Sequence, residues 1–134
     1  MQMTQWKGYD ITYSFDNERP IYLQLMEMIK IQIISGKIKP GEKLPSVRDY
    51  AHEVKVNPNT VQKALTELER ENLIYTERTN GKYVTDNLSL INQLKTKIAN
   101  NLIIKFIEDM NDIGISKEEI ITYFKKERND KNWC

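Results

Sequence analysis

The sequence predicts a mainly α-helical protein with a small β-wing, and three observations lead to that prediction. Two short amphipathic helical patterns within residues 46–69 are separated by a turn that contains Pro58. A strand pattern, a turn at Asn80-Gly81 and a return strand follow. A long helical pattern then fills residues 88–113. The predicted architecture is a winged helix-turn-helix domain over residues 1–86 and a helical region over residues 87–134.

Composition excludes several classes of protein. The chain has 134 residues, of which 40% are hydrophobic, and a formal net charge of +1. One cysteine and one histidine cannot build a disulfide framework or a Cys/His metal cluster, so no metal and no cofactor are expected. The start lacks the apolar core of a signal peptide, and the apolar run at 21–34 is interrupted by polar residues. We therefore expect a cytoplasmic protein without a membrane span.

The first forty residues contain one clear helix. Residues 1–10 show no regular pattern and are expected to be loose, and residues 11–15 alternate as a strand does. Pro20 then favours a helix start, and Gly36 favours its end. The apolar face of this helix consists of Tyr22, Leu25, Ile29 and Ile33.

The next two helices have well-defined starts. Ser46 and Asp49 form a capping pair for the first, whereas Asn57 caps the second and Pro58 occupies its first position. The apolar positions repeat at i, i+3, i+4 and i+7 in both, as Val47, Tyr50, Ala51, Val54 and as Val61, Ala64, Leu65, Leu68. A turn of a few residues makes the helices cross steeply, as in a helix-turn-helix. Residues 73–77, the Asn80-Gly81 turn and residues 83–84 predict the wing.

The helix predicted at 88–113 is too apolar for a helix that stands alone. Ala99, Ile103, Ile104 and Ile107 widen its apolar stripe, and a capping box at residues 115–120 opens a last helix. Such a broad face needs a partner, and a second copy of the chain is the expected one, although the stripe could instead line a ligand pocket. The expected dimer residues are Ile91, Leu94, Ile98, Leu102, Phe106, Met110, Ile120 and Phe124.

Charge and side-chain chemistry point to nucleic acid. Residues 37–63 contain six basic and three acidic residues, a local charge of +3, although ordinary mixing of surface charge is an alternative. The amides of Asn59 and Gln62 suit the N6/N7 edge of adenine, and the Arg48 guanidinium suits guanine O6/N7. Arg48 could instead pair with Asp49 or Glu53.

These motifs occur in an order that resembles the GntR family of bacterial transcription regulators. The segments are PIYLQLMEMIKIQIISGKIKPGEKLPSVRDYA and VNPNTVQKALTELERENLIYTERTNGKYV. With only about 50 residues after the wing, the chain resembles the YtrA subfamily, whose short helical region serves dimerisation. The resemblance implies a homodimer on a palindromic double-stranded DNA operator, with Arg48 contacting bases. It leaves open whether a small-molecule effector binds.

The resulting prediction is a homodimeric transcription regulator, expected to be a repressor. The expected DNA-contacting residues are Lys43, Ser46, Arg48, Asn57, Asn59, Thr60, Gln62, Lys63, Arg78, Asn80, Gly81 and Lys82. A winged helix can also serve as a protein-docking or small-molecule-binding module, which is the alternative. The sequence contains no phosphate loop, nucleophile elbow or pair of catalytic histidines, so an enzyme is not expected.

Overall fold

The computed structural model describes residues 2–6, 9–13 and 15–128, with side chains for residues 15–126. The helices are α1 Ile21–Ile34, α2 Val47–Val54, α3 Pro58–Arg70, α4 Leu88–Asp112 and α5 Lys117–Arg128. The strands are β1 Gln2–Trp6, β2 Tyr9–Tyr13, β3 Ile74–Glu77 and β4 Gly81–Val84. None of the helices in these ranges has the length and apolar character that a membrane span requires.

The N-terminal segment differs from the expectation. Residues 1–10 were expected to be loose, but β1 pairs antiparallel with β2, with Thr4 opposite Ile11. The predicted strand at 11–15 lies at 9–13 instead, and Phe15 packs partly buried against the core. Strand pairing is a contact between segments, so the pattern of either segment alone does not reveal it.

The core of the first unit, residues 1–94, lies between α1 and α3. The apolar face predicted for α1 is confirmed, because Leu25, Ile29 and Ile33 are at most 2% exposed. The four inward positions of α3 are fully buried: Val61, Ala64, Leu65 and Leu68. The core continues into the first turns of α4, where Ile91 is buried and Leu94 packs against the same cluster. The first compact unit extends to Leu94.

The turn between α2 and α3 is tightly determined. Lys55 ends α2 with a left-handed φ of 56°, and the Val56 amide donates to the Ala51 carbonyl over 3.1 Å. The Asn57 side chain then accepts from the Asn59 amide over 2.8 Å, with Pro58 at the first helical position. Both predicted caps are confirmed, since Ser46 Oγ accepts from the Asp49 amide over 3.1 Å.

The wing is an antiparallel pair with a longer turn than expected. Glu77 lies opposite Gly81, so the loop comprises the three residues 78–80 instead of the two-residue Asn80-Gly81 turn. Gly81 has a φ of 104°, which explains the glycine at the end of the loop. β4 is the inner strand of the wing, because the Leu44 amide also donates to the Lys82 carbonyl over 2.8 Å.

The second unit, residues 95–134, contains most of α4 and all of α5. α4 ends at Asp112, and the Ile115 amide donates to the Met110 carbonyl over 2.9 Å across the turn. The predicted capping box is confirmed by reciprocal hydrogen bonds of 3.3 Å between Ser116 and Glu119. Ile120 is buried, and the rings of Phe106 and Phe124 stack at 6.0 Å. This unit is a helical hairpin.

Candidate nucleic-acid interface

A polar stripe runs along the outer face of α3. Its exposed members repeat at i, i+3, i+4 and i+7 and are Asn59, Gln62, Lys63 and Thr66. The buried positions of the same helix hold this face outward, because a helix that buries one stripe exposes the opposite one. A rigid helix with amides and one cation on its outer face has the shape and chemistry of a major-groove reader.

Thr66 also belongs to this stripe, although it is not among the predicted contact residues. The Gln62 Nε2 donates to Thr66 Oγ1 over 3.2 Å, one turn further along the helix. This contact orients the Gln62 amide and leaves its oxygen and second hydrogen for a ligand. The i, i+4 spacing could have pointed to the pair, because residues so spaced are neighbours on a helix.

Lys63 is positioned by an aromatic ring. Its Nζ lies 4.1 Å from the ring centroid of Tyr22, a residue at the start of α1. A cation over a ring face is attracted by the quadrupole of the ring, by about 0.5–1 kcal/mol at exposed sites. The contact joins α1 to α3, so the sequence pattern of neither helix could reveal it.

Two of the expected contact residues, Ser46 and Asn57, also cap helix starts with their side chains. The side-chain oxygen of Asn57 accepts a hydrogen bond from the Asn59 amide, so its NH₂ group remains available for a ligand. Ser46 likewise uses its hydroxyl oxygen as an acceptor for α2 and keeps its hydroxyl hydrogen. Thr60 is half-buried, and its amide donates to the Asn57 carbonyl over 2.9 Å. Direct base contact by these residues stays a prediction.

Arg48 lies exposed in the first turn of α2. The alternative was an ion pair with Asp49 or Glu53, and within the side chains described here Arg48 forms neither pair at 4.0 Å or less. Val47 and Ala51 of the same helix pack against the core, so Arg48 faces solvent. An exposed guanidinium near a polar helix is suited to a base edge or a phosphate.

The tip of the wing is exposed and lies beside Lys43. Arg78, Thr79 and Asn80 are all exposed. A Cβ added to Gly81 would lie 3.3 Å from Lys43 Cε, so the lysine side chain follows the backbone of the tip. The lysine, the glycine and the loop form one continuous edge, which could follow a DNA backbone.

Lys82 does not extend into solvent as a phosphate-contacting lysine would. Its Nζ lies 3.0 Å from Glu69 Oε1 and 2.9 Å from Thr76 Oγ1, and its side chain is only 19% exposed. Two of its three hydrogens are therefore used inside the protein. The predicted phosphate contact is untested, but it would have to compete with these bonds.

Each of the three glutamates near the end of α3 is paired with a cation. Glu67 lies 3.0 Å from Arg70, Glu69 lies 3.0 Å from Lys82, and Glu71 lies 2.9 Å from Lys30. Pairing removes most of their long-range field. Among the described side chains, Lys63 of the polar stripe forms no ion pair, whereas the acids near the end of α3 are paired with cations.

A second exposed surface lies on the helical hairpin. Its apolar residues are exposed by 40–65%: Leu102, Ile103, Ile104 and Phe106. Three of the expected dimer residues do not belong to it, because Ile91 is 7% exposed in the first unit's core, Leu94 packs against that core, and Ile120 is 5% exposed. In the described part of the chain, no cluster of three or more His, Cys, Asp or Glu residues could hold a metal.

Comparison with known proteins gives consistent results. Residues 21–84 match the family described as "Bacterial regulatory proteins, gntR family". Bacillus subtilis (strain 168) has two similar proteins: YhcF, described as an uncharacterized HTH-type transcriptional regulator, and YtrA, an HTH-type transcriptional repressor. YhcF is 35% identical over 83% of this chain and 92% of its own. YtrA is 39% identical over 80% of this chain and 83% of its own.

A solved structure supports the fold. A GntR family transcriptional regulator from Listeria monocytogenes is 45% identical, with a TM-score of 0.77 over 84% of this chain and 98% of that one. The expected fold class, a mainly helical winged helix-turn-helix with a small β-wing, is thereby confirmed. Resemblance to the YtrA-like group within the family is confirmed as well.

Proposed function

Because the chain belongs to the GntR family of DNA-binding transcription regulators, which are not enzymes, we propose that it represses transcription as a homodimer bound to an inverted-repeat operator. The observation that carries the proposal is the outer stripe of α3, which combines two amides and a cation on a helix fixed by four fully buried residues. The polar stripe also argues against the docking-module alternative, which needs an apolar outer face.

In the proposed complex α3 lies in the major groove. The Asn59 and Gln62 amides read adenine edges, and Arg48 reads a guanine. Lys63, held against Tyr22, contacts a phosphate, and phosphate contacts position the protein without reading sequence. The wing tip and Lys43 follow the neighbouring minor groove.

The helical hairpins join two copies of the chain. Apolar side chains are exposed on this hairpin at Leu102, Ile103 and Phe106. Because exposure of apolar surface to water is unfavourable, this surface packs against the identical surface of a second copy, which gives a two-fold dimer. Two-fold symmetry predicts half-sites about 10 bp apart, or a multiple of that spacing. Such a regulator acts on the bacterial chromosome, which places it in the cytoplasm.

The test begins with selection of bound oligonucleotides from a random pool, which reports the operator, its symmetry and its spacing together. The variant Arg48→Ala should then weaken operator binding by about 5–150-fold, which corresponds to about 1–3 kcal/mol for a base-specific contact. Binding to a random duplex should change little.

The matched control is Arg70→Ala, which removes an exposed arginine that pairs with Glu67 at the other end of α3. It should leave operator binding close to that of the wild type. Equal losses on operator and random DNA for Arg48→Ala would contradict the assigned base contact, and an asymmetric selected site would contradict the dimer.

A further inference from the structure

Three polar side chains join α3 to both strands of the wing. Lys82 Nζ of β4 donates to Glu69 Oε1 of α3 over 3.0 Å and to Thr76 Oγ1 of β3 over 2.9 Å. The Thr76 hydroxyl in turn donates to Glu69 Oε2 over 2.8 Å. The Thr76 hydroxyl therefore accepts one hydrogen bond, from Lys82, and donates another, to Glu69. We name this triad the wing clamp.

The wing clamp is built into the fold. Thr76 and Lys82 are directly opposite each other in the β3–β4 register, so their side chains share the wing face that meets α3. The Lys82 side chain is 19% exposed, whereas the surface lysine Lys105 is 71% exposed. The hydrogen bonds from Thr76 and from Lys82 lower the pKa of Glu69, because they favour its charged form.

The neighbouring ion pairs of α3 do not involve the wing. Glu67 pairs with Arg70 within α3, and Glu71 pairs with Lys30 of α1. Among the ion pairs of the described side chains, Glu69–Lys82 is the one that connects α3 with the wing. It therefore affects both the position of the wing and the charge that the wing presents.

Resting on the proposed DNA binding, we propose that Glu69, Thr76 and Lys82 are positioning residues that fix the wing on α3 and withhold the Lys82 charge from DNA. When the wing is fixed, the wing and α3 contact DNA at one distance from each other. This fixed distance favours binding to the operator over binding to other DNA. A paired ammonium displaces no counterion from DNA, so it adds nothing to non-specific affinity. The wing clamp thus raises the ratio of operator to non-specific binding.

The test compares Glu69→Gln, Thr76→Val, Lys82→Gln and the control Glu67→Gln on the selected operator and on a random duplex. Thr76→Val changes no charge and should lower the ratio about 3–10-fold, as expected for lost hydrogen bonds. Glu69→Gln should lower the ratio similarly, and it should also steepen the salt dependence of random-duplex binding by about 0.9, because Lys82 is released to one phosphate.

A double variant separates positioning from direct contact. The double variant Glu69→Gln with Lys82→Gln should lose no more operator affinity than either single variant, because each of these variants already disrupts the same wing clamp. If Lys82 contacts a phosphate in the wild type, Lys82→Gln alone would weaken both DNAs and flatten the salt dependence by about 0.9, which would overturn the proposal.

The remaining outcomes are also decisive. If the wild-type protein binds neither the operator nor the random duplex, the proposed function itself is wrong. If the wild type binds the operator and Thr76→Val and Glu69→Gln both behave like Glu67→Gln, only the wing clamp is refuted. Thermal unfolding of each variant separates a loss of positioning from a loss of fold, and Thr76 is exposed on a strand, where valine is well tolerated.

Discussion

The helices α3 and α4 carry apolar faces of similar spacing, yet their surroundings differ. On α3, Val61, Leu65 and Leu68 are completely buried. On α4, Leu102 and Ile103 are 65% and 55% exposed. The spacing predicts an amphipathic helix in both cases. Only the burial shows which apolar face packs against other residues of the same chain.

The difference separates two functions of the molecule. The apolar face of α3 stabilises the domain, since burying one such side chain contributes about 1.5–3 kcal/mol. It also turns the polar stripe outward. The part of the α4 apolar face around Leu102 and Ile103 is mostly exposed in a single chain, so it is available for association, and we expect it to respond differently from α3 to the same kind of substitution.

The largest expected effect is on the buried face. Leu65→Ala should lower the free energy of unfolding by about 2–5 kcal/mol, because it removes buried methyl groups and leaves a cavity. The loss should be the same at every protein concentration when urea unfolding is followed by circular dichroism. Leu102→Ala is the matched control, and a loss as large as that of Leu65→Ala in dilute protein would show that the α4 face is not free.

The next effect concerns the exposed face. Leu102→Asp should weaken dimerisation at least about 100-fold, because a carboxylate buried in an apolar interface loses its hydration. Asn101→Asp adds the same charge at the adjacent exposed position and should weaken it much less. Sedimentation velocity over a range of concentrations measures both. A single-chain species for the wild type at millimolar concentration would contradict the proposed interface.

Much of this comparison was predictable from the sequence, because it depends on local signals. The caps at Ser46 and Asn57, the capping box at Ser116 and the inward faces of α1 and α3 all follow from residues within one or two turns of each other. The same is true of the outer stripe. Local spacing determines which residues share a face, and the structure agrees at each of these positions.

The sequence pattern does not reveal contacts with a distant segment. Lys82 is predicted to contact a phosphate, which stays untested, and the pattern gives no sign that Glu69, thirteen residues earlier, binds its ammonium. Ile91 was assigned to the dimer, but it completes the first unit's core. Strand β1 was missed because its partner is another segment. Such contacts arise from packing, which a helical or strand pattern does not encode.

A smaller effect should appear at the turn that presents α3. Lys55 adopts a left-handed φ of 56°, which costs a residue with a Cβ about 1–2 kcal/mol. Lys55→Gly should therefore raise the free energy of unfolding by up to about 1 kcal/mol, after the added chain entropy of glycine is subtracted. The measurement is urea unfolding of the same transition that Leu65→Ala weakens.

Asn72 is the matched position at the other end of α3. Its φ is 64°, but asparagine tolerates the left-handed region better than lysine does. Asn72→Gly should therefore stabilise less than Lys55→Gly. An equal gain at both positions would indicate that side-chain strain is not what the glycine relieves at Lys55.

The smallest effect is a pH dependence of the free energy of unfolding that arises from Glu69 in the wing clamp. The hydrogen bonds from Thr76, and then from Lys82, lower the pKa of Glu69 in the folded protein below the ordinary value of 4.5. The folded state therefore binds this proton less readily than the unfolded state does. The contribution of the charged Glu69 side chain to stability is fully present above about pH 4.5, and it is lost as the pH falls through the pKa of Glu69 in the folded protein.

Since the Glu69 side chain is 38% exposed, solvent screens the interaction, and the contribution should be that of a surface pair, about 0.2–1 kcal/mol. The difference in unfolding free energy between wild type and Glu69→Gln should shrink between pH 7 and pH 3. Thr76→Val removes the strongest cause of the shift and should flatten the same curve. A difference that stays constant down to pH 3 would mean that the Glu69 carboxylate is not held in its charged form by the fold.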